Sequence, residues 1–199
     1  MIAYAEDTAA WEEWQRDYRL GLILILPPPE VARVFDRLRQ KYDPRSHAVC
    51  PAHISVSDPL RLEMTDKRRE EIRALCAGIE PFPLRYGPPR ASTERAGVSC
   101  PVGPQAAIDR LKDALHGATV FDGQVYRRRS VPAHMTIAEF VSIEESAGIR
   151  AAVEQEVGGG AFVCQQLDFI VPDEGFCFRK VMRFRLGKQA LDIDAGGGL

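Results

Sequence analysis

The apolar positions of this chain change period repeatedly, and each change marks an element. Leu20 to Leu26 (LGLILIL) is a near-continuous aliphatic run, which suits a strand covered on both faces. Pro27-Pro28-Pro29 ends it. Val31, Val34, Phe35 and Leu38 then recur at helical period through Tyr42, and proline is well tolerated where such a helix starts. AHISVSD (52–58) alternates polar and apolar residues and reads as a strand. Thr65 to Cys76 reads as a helix with Ile72 and Leu75 inward. FPLRYG and GVSC are short strand candidates. Residues 104–116 form a helix striped by Ala107, Ile108, Leu111 and Leu115. AHMTIAEFV is a second alternating strand. A last helix runs from Ile143 to Val157 and stops at Gly158-Gly159-Gly160. AFVCQQLDFIV and FCFRKVMRFRL close the pattern as two strands, giving the order β-α-β-α-β-β-α-β-α-β-β. Residues 3–17, with Trp11, Trp14 and Tyr18 at helical spacing, read as a short amphipathic helix and a packing extension. The expected organisation is an N-terminal helical extension over 1–17, one bilobal domain over 18–187, and a loose Gly-rich tail over 188–199.

Composition narrows the function classes. The 199 residues are 45% apolar and 27% charged, which fits an ordinary globular chain with one good core. The longest aliphatic run falls far short of the ~20 residues that a spanning helix needs, so no membrane partner is expected. The acidic N-terminus lacks the basic and apolar regions of a secretory signal. A net charge of −2 argues against wrapping long nucleic acid and leaves a small or locally bound anion as substrate. Cys50, Cys76, Cys100, Cys164 and Cys177 are odd in number and include no CxxC pair. A zinc knuckle or disulfide framework is therefore not expected, and a cytoplasmic setting is the simplest.

One internal repeat carries chemistry. Residues 50–57 read CPAHISVS and residues 131–138 read VPAHMTIA, 81 positions apart. In a strand, side chains alternate faces, so His53, Ser55 and Ser57 share one face and His134 and Thr136 share another, each backed by apolar residues. Two imidazoles and two hydroxyls suit phosphoester chemistry. A neutral imidazole can take a proton from attacking water, and a protonated one can give a proton to a departing sugar oxygen. Ser55 and Thr136 can donate to the non-bridging phosphate oxygens. This scheme needs no metal and no cofactor.

At these residues the chain resembles the two-histidine (2H) phosphoesterase superfamily, which includes 2′-5′ RNA ligase-like proteins and RNA 2′,3′-cyclic phosphodiesterases. The motifs are His53-Ile54-Ser55 and His134-Met135-Thr136, and the resemblance extends from about Tyr18 to Leu186. It implies an α+β, bilobal, pseudo-twofold fold with two antiparallel sheets facing a central cleft and helices outside. It also implies metal-independent opening of 2′,3′-cyclic phosphates to leave a 2′-phosphate, and a 2′-5′ RNA ligase activity in some relatives. By the same resemblance, His134 activates water and His53 protonates the 3′-oxygen. Many relatives carry an Arg five positions after the second His. Here that residue is Glu139, which disfavours a nearby anion unless it turns away or pairs with a cation.

The implied partner is a nucleotide or RNA end bearing a cyclic phosphate, acted on by a monomer. The alternatives are a small nucleotide such as ADP-ribose cyclic phosphate, and a phosphate- or nucleotide-binding module without turnover. Further candidates lie around the motifs. Arg127, Arg128 and Arg129 precede the second motif, and Arg129 is the candidate for drawing phosphate to the cleft mouth. In the last strand Arg179, Arg183 and Arg185 alternate with Phe178, Met182 and Phe184. If the apolar set faces the helices, the arginines face the cleft, and Arg183 is the preferred substrate ligand. Tyr126 is a candidate for stacking on a base, with packing as the alternative. Cys50 lies three residues before His53, but Pro51 and the strand pattern predict that the two point to opposite faces. His47 and His116 read as structural.

Overall fold

The computed structural model describes residues 2–91, 96–127 and 131–188. Two antiparallel sheets organise it, each ending in one copy of the repeat. The first is built on β1 (Leu22–Ile25), whose four residues are all buried. Ile23 and Ile25 face the main core, while Leu22 and Leu24 face a second apolar cluster with Cys50 and Ile170. Both faces are thus covered, as the aliphatic run predicted. Gly21, just before β1, has φ +79°, and a Cβ there would collide with the Ile170 carbonyl. That close approach lets the chain enter the sheet edge on.

After β1 the chain turns into α2 (Pro29–Tyr42), with Pro29 at its first position; α1 (Glu13–Arg16) precedes β1. Val31, Phe35 and Leu38 bury one face of α2. Burial of each such side chain contributes about 1.5–3 kcal/mol. A short α3 (Pro44–Val49), capped by the Asp43 side chain on Ser46 N–H, delivers the chain to β2 (Ile54–Ser55). α4 (Asp66–Ala77) starts at the Thr65 cap. Next come β3 (Phe82–Tyr86), β4 (Arg90–Ala91), β5 (Val98–Gly103), α5 (Gln105–His116) and a 3-10 turn at Thr119–Phe121. β6 (His134–Ala138), α6 (Ile143–Glu154), β7 (Gly160–Cys164), β8 (Gln166–Pro172) and β9 (Phe178–Arg185) complete the order.

The first sheet runs β2-β1-β8-β9. In the second, β7 pairs with β3, β3 and β4 pair with β5, and β5 pairs with β6. Each half repeats one path: strand, helix, then a strand returned antiparallel to the first. In one half it is β1-α2-β2, and in the other β5-α5-β6. The expected α+β fold with two antiparallel sheets is therefore what is observed. Among the described residues, no helix is long and apolar enough to cross a membrane.

Several expected boundaries are corrected. The N-terminal helix is confined to Glu13–Arg16; Trp11 lies outside it and donates from its indole N–H to the Glu174 carbonyl at 2.7 Å. The first motif strand is only two residues long, because Ser57 leaves the ladder. Its hydroxyl accepts from Ile23 N–H and donates to the Asp58 carbonyl, both at 2.8 Å. AFVCQQLDFIV is not one strand. It crosses between sheets at Gln165, as β7 in the second sheet and β8 in the first. The last strand carries a register shift opposite Phe169/Ile170. Lys180 pairs with Ile170 and Arg183 with Asp168, so the inserted residue resets the alternation. Phe178 consequently shares the cleft face with Lys180 and Arg183. Arg179 points the other way, to the Ala3 carbonyl.

Candidate active site

The two repeat strands are edge strands, β2 of one sheet and β6 of the other, and they converge on one cavity. Its volume is about 120 Å³, and His53, Ser55, His134 and Thr136 all line it. Burial follows the period-two expectation. Ile54, Val56, Met135 and Ile137 are buried, while the two imidazoles and two hydroxyls are half-buried on the cavity side. Among the described residues neither hydroxyl has a protein hydrogen-bond partner, so both can donate to a ligand.

The Pro-Ala-His repeat has a structural purpose. His53 Nδ1 lies 2.8 Å from the Pro51 carbonyl, and His134 Nδ1 lies 2.8 Å from the Pro132 carbonyl. A carbonyl can only accept, so each Nδ1 carries a proton and donates it. Tautomer and orientation are thereby fixed alike in both halves, which leaves Nε2 of each ring as the nitrogen suited to proton transfer.

Two buried cations also face this cavity, and the repeat did not point to either. Arg39 of α2 is 2% exposed and Lys112 of α5 is 2% exposed. Arg39 donates from Nη1 to the Thr136 carbonyl at 3.1 Å, and from Nη2 to the Ser46 and Cys50 carbonyls at 2.9 Å each. It thus ties β6 to the loop that leads into His53. Lys112 Nζ sits 3.7 Å from Asp109 and 4.9 Å from the centre of the Tyr126 ring. Burial pushes its pKa down, against the opposing pull of Asp109. A sequence signal existed for both: each follows an inward apolar residue, Phe35 or Ile108, by four positions, so each charge lies on a buried helix face.

Glu139 also lines the cavity, and its carboxylate is engaged. Ser46 Oγ donates to Glu139 Oε1 at 2.9 Å while accepting from Arg39 Nη2 at 2.9 Å. The acidic residue is linked to the guanidinium through one hydroxyl. Asp43 anchors the same corner by accepting from Glu139 N–H and Phe140 N–H at 2.7 and 3.1 Å.

The other expected residues fall in several places. Tyr126 lines the cavity but is 5% exposed, packed on His116 at 4.9 Å; it has no open face for a base. Arg183 does face the cleft side of its sheet. However, the row Ser55–Leu24–Asp168–Arg183 puts it three strands, about 14 Å, from Ser55. It lines a separate cavity and pairs with buried Asp168 at 3.3 Å. Arg128 and Arg129 lie outside the described residues, as does the tail beyond 188. Arg127 pairs with Asp17 and Asp58 at 3.7 and 3.8 Å.

Cys50 departs from expectation. Its Sγ lies 3.4 Å from His53 Nδ1, because His53 precedes the ladder and the chain curls at Pro51. Burial pushes this thiol up to about 12, so it offers no thiolate near neutral pH. His116 is structural, as expected. Nδ1 donates to the Lys112 carbonyl at 2.7 Å and Nε2 accepts from Asp58 N–H at 3.1 Å. Among the described residues, no three His, Cys, Asp or Glu side chains are grouped so as to hold a metal ion.

A family model described as the 2'-5' RNA ligase superfamily matches residues 27–175. Several solved structures share the fold. LigT of E. coli complexed with NADP+ is 14% identical, over 83% of this chain and 96% of that one, at a TM-score of 0.51. LigT of E. coli complexed with 3'-AMP gives the same identity and coverage at 0.52. TT0787 of Thermus thermophilus is 11% identical, over 84% of this chain and 98% of that one, at 0.50. No curated protein matches the chain.

Proposed function

Because the chain belongs to the 2'-5' RNA ligase superfamily, we propose that it hydrolyses 2′,3′-cyclic phosphodiesters by acid–base catalysis between His53 and His134. The observation that carries this reading is the shared cavity. Both imidazoles, both hydroxyls and two cations line one small space, and each Nδ1 is held by a proline carbonyl.

The chemistry follows from that arrangement. His134 Nε2 takes a proton from a water molecule, whose oxygen attacks phosphorus on the face opposite the 3′-oxygen. The P–O3′ bond breaks, and His53 Nε2–H gives its proton to the departing oxygen. A 2′-phosphate remains. His134 ends protonated and His53 neutral, and exchange with solvent restores the starting state. Each proton transfer is worth about 10²–10⁴-fold. Ser55 and Thr136 donate to the non-bridging oxygens as charge accumulates there, and Arg39 and Lys112 supply positive potential from behind. With the 5′-hydroxyl of a second strand in place of water, the same roles would form a P–O5′ bond as the P–O3′ bond breaks, leaving a 2′-5′ linkage and a free 3′-hydroxyl. A small substrate such as ADP-ribose cyclic phosphate is the second reading, favoured by the net charge of −2.

The test is incubation with 2′,3′-cyclic nucleotides and with an oligonucleotide bearing a cyclic end, in the presence of chelator, followed by phosphorus NMR. A 2′-phosphate product is expected, and His53→Ala and His134→Ala should each lose activity with the circular dichroism spectrum retained. Turnover surviving in either folded variant would overturn the scheme. Binding without turnover in the unmutated protein would make it a binding module, and preference for the mononucleotide would favour the small substrate.

A further inference from the structure

A second recess opens directly from the histidine cavity. It shares His53, Ser55, Arg39 and Glu139 with that cavity, and its volume of about 260 Å³ exceeds the 120 Å³ of the narrower space. Its wall is aromatic: Trp14, Tyr18, Phe140, Phe176 and Phe178, over a floor of Leu22, Leu24 and Ile170. We propose that this recess binds the base of the nucleotide whose phosphate lies between the two histidines. This deepens the reading above and rests on it for the position of the phosphate.

Four observations carry the assignment. First, two of the rings are open to solvent: Trp14 is 48% exposed and Phe140 45% exposed, although large aromatic side chains are usually buried. Second, they are held rigidly. The Trp14 indole N–H donates to Glu12 Oε2 at 2.7 Å, and its ring meets Tyr18 and Phe176 at 88° and 86°. Arg45 stacks its guanidinium 4.2 Å from the centre of Phe140, which already shows a flat group lying on that ring. Third, Phe176 has φ +60°, a left-handed conformation that a bulky side chain rarely adopts. The turn imposing it is tied by Asp173, whose Oδ1 accepts from Gly175 and Cys177 N–H at 2.9 Å each. The strained residue holds its ring against Trp11, Trp14, Tyr18 and Phe178. Fourth, polarity is graded. The apolar recess runs into a cavity holding two cations and two free hydroxyls, so a ligand that fills both is flat and apolar at one end and anionic at the other. A nucleotide has that form, and bases stack on aromatic faces whatever their sequence.

Four of the five aromatic wall residues lie outside the span matched by the superfamily, and Phe140 lies inside it. Trp14 and Tyr18 precede the span matched by the superfamily, and Phe176 and Phe178 follow it. The two outer segments are joined by the Trp11 bond to the Glu174 carbonyl.

The test compares 5′-AMP with ribose 5-phosphate on the intact chain. Trp11 is 5% exposed and Trp14 is the open indole, so fluorescence quenching reports the recess. AMP should quench and bind at least tenfold more tightly than ribose 5-phosphate by calorimetry. In Trp14→Ala that preference should fall below threefold. Phe140→Ala, which lies outside the N-terminal segment, should lower it at least fivefold and guards against a misfolded first variant. With 2′,3′-cyclic AMP, both variants should raise KM more than they lower kcat. Equal binding of the two probes, or a preference unmoved in both folded variants, overturns the base site. AMP binding that obeys these rules without turnover of any cyclic ester leaves the base site standing and sinks the hydrolase reading. Turnover of cyclic AMP and of glycerol 1,2-cyclic phosphate with equal kcat/KM does the reverse.

Discussion

Arg39→Lys is the sharpest probe of how the two halves are held in register. The guanidinium is 2% exposed and reaches three backbone carbonyls in three separate segments: Thr136 in β6, Ser46 in α3, and Cys50 before His53. Lysine keeps the charge but lacks the planar fork, and one ammonium cannot serve all three carbonyls. At least one stays paired. The other two lose their donors at about 1–3 kcal/mol each, the low end applying where cavity water can replace the bond, so a loss of about 3 kcal/mol is expected. The kinetic effect is distinct from the loss of stability. Arg39 fixes Thr136 and the His53 loop relative to one another, and a displacement near 1 Å between reacting groups costs about 10²-fold. The expected result, at a temperature where the variant is more than about 99% folded, is kcat lowered about 10²-fold with KM within a few-fold. Urea denaturation gives the stability, and steady-state turnover of 2′,3′-cyclic AMP gives the kinetics. The double variant with His53→Ala should be no slower than His53→Ala alone, because the positioning then has nothing to position. A folded Arg39→Lys protein that loses stability but keeps kcat within threefold refutes the positioning role. One that loses neither refutes the network.

Three further outcomes follow from the geometry. Ser55→Ala and Thr136→Val should each lower kcat about 10²-fold, the typical loss of one donor to developing oxyanion charge, with circular dichroism unchanged; a loss under threefold in both would remove the hydroxyls from the mechanism. His116 has its pKa lowered, chiefly by burial, so between the folded and unfolded values the unfolded chain binds the extra proton. Its contribution to stability is complete above the unfolded value near 6.5 and is lost as pH falls below it, by at most about 1.4 kcal/mol per pH unit. Urea midpoints at pH 7.5 and 5.0 should show this slope in the wild type and a shallower one in His116→Gln; equal slopes would refute it. Cys50→Ala should keep activity within a few-fold, and mass spectrometry should find exposed Cys177 alkylated by iodoacetamide well before buried Cys50. Abolition of turnover by Cys50→Ala in a folded protein would restore the thiol as a participant.

The candidate residues of the shared cavity were readable because the repeat is local. Pro-Ala-His, an apolar residue and a hydroxyl sit within a few positions of one another, and the period of a strand decides which share a face. His53, Ser55, His134 and Thr136 come together as that pattern requires. What the pattern omits is pairing, which depends on contacts between distant segments. Arg183 alternated correctly with its apolar neighbours and does lie on the cleft face, yet strand order sets it three strands from Ser55 and beside Asp168. The aromatic recess was hidden for the same reason: Trp14 and Phe176 are 162 positions apart and meet through a turn whose strain no propensity registers.

The misread run AFVCQQLDFIV shows that some long-range information is written locally in a form easily overlooked. Phe162 and Cys164 point inward at even positions, whereas Leu167, Phe169 and Val171 do so at odd ones. A strand cannot change parity without a break, since a slip of one residue turns every side chain to the opposite face. The slip falls at Gln165-Gln166, where the chain leaves β7 in one sheet and enters β8 in the other. That crossing joins the two sheets covalently on one side of the cleft, and Arg39 joins them by hydrogen bonds at the motif strands. In the proposed reaction the phosphate is gripped from both halves at once, so residues that fix one half against the other would matter to it even without touching substrate. Charges at inward helix positions and parity slips within strands are the places in a sequence where such constraints surface, and here they mark Arg39, Lys112 and Gln165.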